Sequence, residues 1–365
     1  MTAAQATPRH ALIMAGGTGG HIFPGLAVAQ ALRARGWQVS WLGGAGSPEK
    51  PSMESTLVPR HGFAFRTLDF SGVRGKGLTT LALLPLRLLR AFWQSLRIVR
   101  ALRPQVVVGL GGYISFPAGM MSVLLGKPLV LHEQNAVAGA ANRVLAGVAD
   151  RVFTAFPDVL KRAEWVGNPL RANFLAHPAP AERFAGRTGT LRLLVVGGSL
   201  GARVLNDTVP QALARIPEAE RPQVTAQSGA TQIDALRAAY AAAGLTATLT
   251  PFIDDTAQAF ADADLVICRA GASTVTELAA IGAAALFVPL PSAVDDHQTR
   301  NARFLVDGQA GWLMPQATLS PEGLAAWLQQ TTRAQLQDCA TRAHALRKDG
   351  ATTRIVAACE ELAPA

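Results

Sequence analysis

The feature that most constrains this chain is a unit that occurs twice. Leu12–Ile13–Met14–Ala15 is a short apolar run, and Gly16–Gly17–Thr18–Gly19–Gly20 a glycine loop with His21 at its mouth. Pro24–Arg35 then carries helix-forming residues. About 180 residues later, Leu191–Val196, the loop Gly197–Gly198–Ser199–Leu200–Gly201 and the stretch from Ala202 repeat that order. A buried strand that runs through a glycine loop into a helix opens a doubly wound α/β sheet. The glycines let the backbone approach a ligand closely, and the N–H groups of a helix N-terminus face an anion. Pro24 is read into the first helical turn, where its missing N–H costs nothing. Two such units predict two Rossmann-like domains facing a central cleft, with ligands at the carboxyl edges of both sheets.

The first loop is not a dinucleotide fingerprint. Counted from Gly17, G-x-G-x-x-G would require glycine at Ile22, and the next strand, Gln38–Leu42, ends in Gly43–Gly44 with no acid for a ribose. No G-x-x-x-x-G-K-[ST] loop is present either. With 365 residues the chain can bury two cores. Leu175–Gly189, rich in Pro, Ala and Arg and without apolar period, is expected to be the linker. The expected domains are 1–170, completed by a C-terminal helix 348–365, and 171–347. A net charge of +9, carried mostly by arginine, suits phosphates or an anionic membrane surface. No basic run is interleaved with aromatics, so no nucleic-acid partner is expected. Three cysteines without metal-ligand spacing argue against a disulfide framework and for a reducing compartment. Met1–His10 has no apolar signal core and no run of eighteen apolar residues occurs, which predicts a soluble or peripheral protein.

Four constellations carry possible chemistry. His21 is either a structural histidine or a general base kept neutral by the helix N-terminus beside it. Gly271–Ala272–Ser273–Thr274–Val275–Thr276–Glu277 follows a buried strand. Thr274 and Glu277 have the spacing of a capping box, while Glu277 could instead hold two ribose hydroxyls as the loop meets phosphates; the two readings can coexist. Asp262–Ala263–Asp264 has the D-x-D spacing of metal-dependent glycosyltransferases but precedes its strand, away from the ligand edge. A turn and solubility role is expected there, and no metal. Leu78–Arg103 reads as a helix in which Leu88, Phe92, Ile98, Val99 and Leu102 share one arc. Leu89, Trp93 and Leu96 fall with Arg87, Arg90, Arg97 and Arg100 on the other, as either a solvated face or a membrane-interfacial one.

Taken in order, GGTGGHIFPGLAVA (16–29), GGYISFP (111–117), HEQNAVAG (132–139), GNPLR (167–171), GGSLGAR (197–203), FIDD (252–255), CRAGASTVTE (268–277) and DDHQTRNA (295–302) span nearly the whole chain. This ordered set resembles the N-acetylglucosaminyltransferase family of bacterial cell-wall synthesis, usually called MurG. The resemblance implies a GT-B glycosyltransferase, peripheral on the cytoplasmic face of the inner membrane. Such an enzyme moves N-acetylglucosamine, with inversion, from UDP-N-acetylglucosamine to the 4-hydroxyl of the muramoyl sugar of undecaprenyl-diphospho-muramoylpentapeptide. It implies no cofactor or metal. By the same resemblance Thr18, Gly19, Gly20 and Asn135 would meet the donor from the first domain. Arg171 and Ser199 would meet its phosphates, the Ile253 backbone its uracil, Ala272 to Glu277 its phosphate and ribose, and Gln298 its sugar. His21 and Tyr113 would lie near the acceptor, with Glu133 the next candidate for the base, and the glycine loops would also suit the acceptor diphosphate. Leu200 stands where many relatives carry glutamine, and His297 where some do. A UDP-sugar epimerase or a non-enzymatic nucleotide-sugar sensor are the alternatives of other classes.

Overall fold

The computed structural model describes residues 8–47, 51–70, 83–198 and 201–364. The chain divides into two compact units: the residues up to Arg171 together with Asp349–Ala365, and Ala172–Lys348.

The first unit is a parallel sheet of β1 (His10–Met14), β2 (Gln38–Gly44), β3 (Ala64–Leu68), β4 (Val106–Gly109), β5 (Leu129–Glu133), β6 (Arg151–Thr154) and β7 (Glu164–Trp165), in the order β3-β2-β1-β4-β5-β6-β7. Every residue of β1, β4 and β5 is buried, as strands covered by helices on both faces require. Those helices are α1 (Gly19–Ala34), α2 (Met53–Arg60), α3 (Leu84–Leu102), α4 (Ser115–Leu124) and α5 (Ala140–Leu145). On one face Ile13, Val108 and Val130 pack with Leu26 and Val28 of α1. On the other, Leu12, Met14 and Leu131 pack with Ala91 and Val99 of α3 and Ala118 of α4.

The second unit repeats the plan with β8 (Arg192–Val196), β9 (Gln223–Gln227), β10 (Thr248–Thr250), β11 (Leu265–Cys268), β12 (Ala285–Phe287) and β13 (Trp312–Leu313), all parallel, in the order β10-β9-β8-β11-β12-β13. Its helices are α6 (Pro180–Phe184), α7 (Arg203–Ala214), α8 (Ile233–Ala242), α9 (Thr256–Asp262), α10 (Ala272–Ile281), α11 (His297–Val306), α12 (Pro321–Gln330) and α13 (Arg333–Ala345). The last helix, α14 (Ala351–Leu362), leaves this unit and buries Ile355, Val356 and Cys359 in the core of the first, against α1. In both sheets the strand order reverses once, between β1 and β4 and between β8 and β11. Those are the switch points at which doubly wound folds bind ligands.

Three expectations are corrected. Leu175–Gly189 is not a free linker: it contains α6, with Pro180 and Phe184 buried in the second unit. The arginines that made it look solvated are tied down. Arg183 donates to the carbonyls of Ala261, Ile281 and Gly282, and burial lowers its pKa to about 10. The first helix starts at Gly19, so Pro24 lies inside it, and the loop proper ends at Thr18. Asp264 is not a solubilising turn residue. It is 1% exposed, ion-pairs with Arg187 at 2.6 Å and Arg333 at 3.3 Å, and accepts the N–H of Arg192. Its place at the start of β11, away from the switch point, makes it a clamp on the strand ends.

Candidate functional site

In the first unit the two glycine loops meet at the switch point. Gly112 approaches Gly16 so closely that a Cβ on it would lie 2.5 Å from the Gly16 carbonyl oxygen, and its φ of +88° suits glycine alone. Gly111, also at +88°, lies beneath the imidazole of His21; a Cβ there would be 3.0 Å from Nε2. Thr18 is the N-cap of α1 and makes no side-chain capping bond. Its hydroxyl lies 3.4 Å from His21 Nδ1 instead. The N-terminal N–H groups of α1, those of Gly19 and Gly20 among them, therefore have no side-chain cap. Ser115 locks the second loop by donating to the Gly111 carbonyl at 2.8 Å. Tyr113 is half-buried against Phe70 (ring centroids 6.1 Å apart), and burial, then the charge of Glu54, raises its phenol.

The HEQN stretch ends β5 beside this corner. His132 is fully buried, its Nε2 2.8 Å from the Gly167 carbonyl and its Nδ1 3.0 Å from the Gln134 amide nitrogen; burial pulls its pKa down to about 4. Glu133, the second candidate base, is 2% exposed with both oxygens engaged. One accepts the backbone and side-chain N–H of Asn135, the other the Gly139 N–H and the Asn142 amide. That geometry gives Glu133 the work of shaping the loop that carries Asn135; His21, which stands over Gly111, is the other base candidate. Arg171 belongs to the first unit, its guanidinium 5.4 Å from the ring centre of Phe23 on α1.

In the second unit the glycine loop after β8 is laced by Gln227, which accepts the Gly198 N–H and donates to the carbonyls of Gly198 and Pro251. Ser199 and Leu200 lie outside the described residues. Across the switch point α10 starts at Ala272 with Gly271 as N-cap, so Thr274 is the third helical residue and the capping box does not form. Gly271 has no side chain to offer, and the N-terminal amides of α10 are uncapped like those of α1. Ser273 Oγ is buried there without a hydrogen-bond partner among the described residues. Thr276 spends its hydroxyl on the carbonyls of Ala272 and Ser273, and Val275 points into the core. Glu277, half-buried, lies one turn into the helix. Gln298 on α11 accepts the N–H of Ala270 at 3.3 Å and of Leu290 at 2.9 Å, bridging the loops after β11 and β12. Ile253 sits between β10 and α9, beside the exposed ring of Phe252.

Sequence reasoning missed Gln227, Glu54 and Arg269. Arg269 donates to the carbonyls of Val288 and Pro289 and to Gln316, fixing the loop after β12. Arg269 stands inside CRAGASTVTE with no signal of its own, Gln227 is the last residue of a strand, and Glu54 lies in a helix ten residues past the end of β2.

On α3, Leu89 (67% exposed) and Trp93 (55%) face outward as expected, and Leu86 joins them. Leu96 is half-buried and is replaced by Leu86 in that exposed set. Arg97 stacks on Trp93 at 4.6 Å and Arg90 pairs with Asp69, while Arg87 and Arg100 are exposed. No helix among the described residues is long and apolar enough to cross a membrane.

Comparison with known proteins matches the glycosyltransferase family 28 N-terminal domain to residues 11–154 and its C-terminal domain to residues 192–355. The chain is 72% identical over 355 residues to the UDP-N-acetylglucosamine–N-acetylmuramyl-(pentapeptide) pyrophosphoryl-undecaprenol N-acetylglucosamine transferase of Polaromonas sp., covering 97% of this chain and 92% of that one. It is 62% identical over 355 residues to the protein of the same name from Ralstonia nicotianae, covering 96% of each. The crystal structure of MurG from Acinetobacter baumannii superposes with a TM-score of 0.84 at 40% identity, covering 97% of this chain and all of that one. The calicheamicin glycosyltransferase CalG4, at 16% identity and a TM-score of 0.67, shares the fold. With both family 28 domains in order and full-length identity of this level, the chain belongs to glycosyltransferase family 28, in its MurG branch of N-acetylglucosamine transferases.

Proposed function

We propose that this chain transfers N-acetylglucosamine, with inversion, from UDP-N-acetylglucosamine to the 4-hydroxyl of the muramoyl sugar of undecaprenyl-diphospho-muramoylpentapeptide. One observation carries the reading. Each sheet opens at its switch point onto a helix N-terminus whose N-cap residue makes no side-chain capping bond among the described residues, one helix bearing His21 and the other Ser273 and Glu277. Such termini accept anions, and the departing group here is a nucleoside diphosphate. In the proposed mechanism the amides of α10, with Ser273, hold the donor diphosphate as negative charge develops on it, and Glu277 accepts from the ribose hydroxyls. His21 removes the proton of the attacking hydroxyl, an inverting step that needs one base and no covalent intermediate. Glu133 shapes the loop of Asn135, and Tyr113 lines the acceptor side. Gln298 offers its amide N–H groups to the donor sugar. No metal or cofactor is assigned a role.

The exposed surface of α3 is proposed to hold the enzyme on the cytoplasmic face of the membrane as a peripheral protein. Leu86, Leu89 and Trp93 enter the headgroup layer, and Arg87, Arg90, Arg97 and Arg100 meet anionic lipid. A lipid-linked acceptor cannot leave the bilayer cheaply, at about 0.8 kcal/mol per CH₂, so the enzyme is brought to it.

Incubation with UDP-N-acetylglucosamine, with and without lipid acceptor, tests the reading. UDP released only with acceptor supports transfer. An isomerised donor in the acceptor's absence marks an epimerase, and binding without turnover marks a sensor.

A further inference from the structure

Beneath the first glycine loop lies a carboxylate that the mechanism above does not use. Glu54, in the first turn of α2, is fully buried. Its Oε1 accepts the N–H of Gly17 at 3.3 Å and of Gly44 at 3.2 Å, joining the loop after β1 to the end of β2. Its Oε2 is buried with no hydrogen-bond partner among the described residues. Three glycines make room for this side chain. A Cβ on Gly16 would lie 2.5 Å from Oε1, one on Gly43 2.8 Å from Cγ, and one on Gly44 3.5 Å from Oε1 and 3.1 Å from the Tyr113 hydroxyl. The α2 end is itself fixed, since Ser52 caps the helix by accepting the Ser55 N–H and donates its own hydroxyl to the Gly44 carbonyl. The glycine pair that left the end of β2 without an acid thus admits one from ten residues on.

We propose that Glu54 is a positioning residue: its carboxylate pins the Gly17 peptide inward, onto the end of β2, and so sets where α1 begins and where His21 stands. Gly17, at φ +99°, turns its N–H to Glu54. The loop then leaves the Thr18, Gly19 and Gly20 amides facing the site, and His21 follows four residues after the pinned peptide. The distance from Cα to carboxylate matters more than the charge, because the acceptor must reach two N–H groups on different strand ends. The inference rests on the reading of His21 as the base and adds to it the residue that places that base.

Two variants separate reach from charge. Glu54→Gln keeps the length and an oxygen acceptor; Glu54→Asp keeps the charge and loses a methylene. Positioning predicts kcat near wild type for Glu54→Gln and a loss of about 10–100-fold for Glu54→Asp. In a His21→Ala background Glu54→Asp is expected to cost nothing further, because the group it aims is gone. An equal cost in both backgrounds overturns the proposal and leaves the base reading standing. Full kcat in His21→Ala overturns the base reading, and this inference with it. Where Glu54→Asp does not fold, Glu54→Gln decides alone: a folded Glu54→Gln protein whose kcat falls as far as that of His21→Ala overturns the proposal. A spectroscopic check is available because the chain has only two tyrosines, and the other, Tyr240, is buried in the second unit with its phenol raised out of range. An ultraviolet titration therefore reads Tyr113. The groups on the elements around it are Glu54 of α2, His21 of α1 across Gly111, and the Asp69–Arg90 pair beside Phe70. Glu54→Gln is expected to lower the Tyr113 titration while Glu54→Asp leaves it raised.

Discussion

Two histidines in one unit show how much a side chain's surroundings decide. His21 stands over Gly111, its Nδ1 3.4 Å from the Thr18 hydroxyl. With His21 as the base, His21→Ala is expected to lower kcat by about 10²–10⁴ and to leave UDP affinity unchanged; loss of UDP binding at full kcat would make it a positioning residue. His132, wholly buried, is held neutral. Its folded pKa of about 4 lies below the ordinary 6.5, so the folded state resists protonation that the unfolded chain accepts. The stability this gives is complete above pH 6.5 and is lost as pH falls toward 4. At 1.36 kcal/mol per pKa unit, the loss is about 3 kcal/mol. Denaturant midpoints measured between pH 7 and pH 4 are expected to fall, and a His132→Gln variant to lose that part of the slope. From sequence His21 was legible because a glycine loop and a helix start flank it. The commitment of Glu133 to its own loop was not, since its four donors come from residues up to nine positions on. Glu54 escaped altogether. What marks it is the space left by Gly16, Gly43 and Gly44, and glycines read as loop formers conceal a side chain that fills them.

At the scale of elements the two strand–loop–helix units were readable because burial on both faces leaves continuous apolar strands, and glycine loops punctuate them. Helix starts were less so. Capping chemistry suggested Thr274 with Glu277, yet α10 begins at Ala272, and its glycine N-cap has no side chain to offer the first amides. If those amides and the like set on α1 neutralise the diphosphate, turnover is expected to persist in EDTA; abolition by EDTA with rescue by magnesium would reject that account. The outer face of α3 was also readable, from helical periodicity, except that Leu96 turns partly inward and Leu86 outward. Vesicles containing anionic lipid are expected to bind the protein, less so at high salt, since each basic residue near the surface adds about 1 kcal/mol. A Leu86/Leu89/Trp93→Ser variant is expected to lose that binding and keep activity on a short-tailed, water-soluble acceptor. Wild-type vesicle binding by this variant would place the membrane surface elsewhere.

At the scale of the whole molecule, the chain crosses from its first unit to its second at Arg171 and returns at Asp349. The return is structural. α14 puts Ile355 and Val356, both 0% exposed, into the core formed by β1, β4 and α1. Its rim is tied by Arg354 to Glu164, and by Glu360 to Arg35. Burying two such aliphatic side chains contributes about 3–6 kcal/mol, against a total stability of about 5–15 kcal/mol for a domain. The exposed ion pairs add little beside that. Deleting residues 349–365 is therefore expected to unfold or strongly destabilise the first unit. The second, whose core of Val195, Ile267, Leu286 and Leu336 draws nothing from the tail, is expected to stay folded. Calorimetry should then show one transition lowered or lost and the other retained. The retained transition should still rise on addition of UDP, because a ligand that binds only the folded state stabilises it by mass action. Transfer activity should vanish with the lost transition. A single transition falling as one in the truncated protein would instead mean that the two units fold as one cooperative block, with α14 serving both.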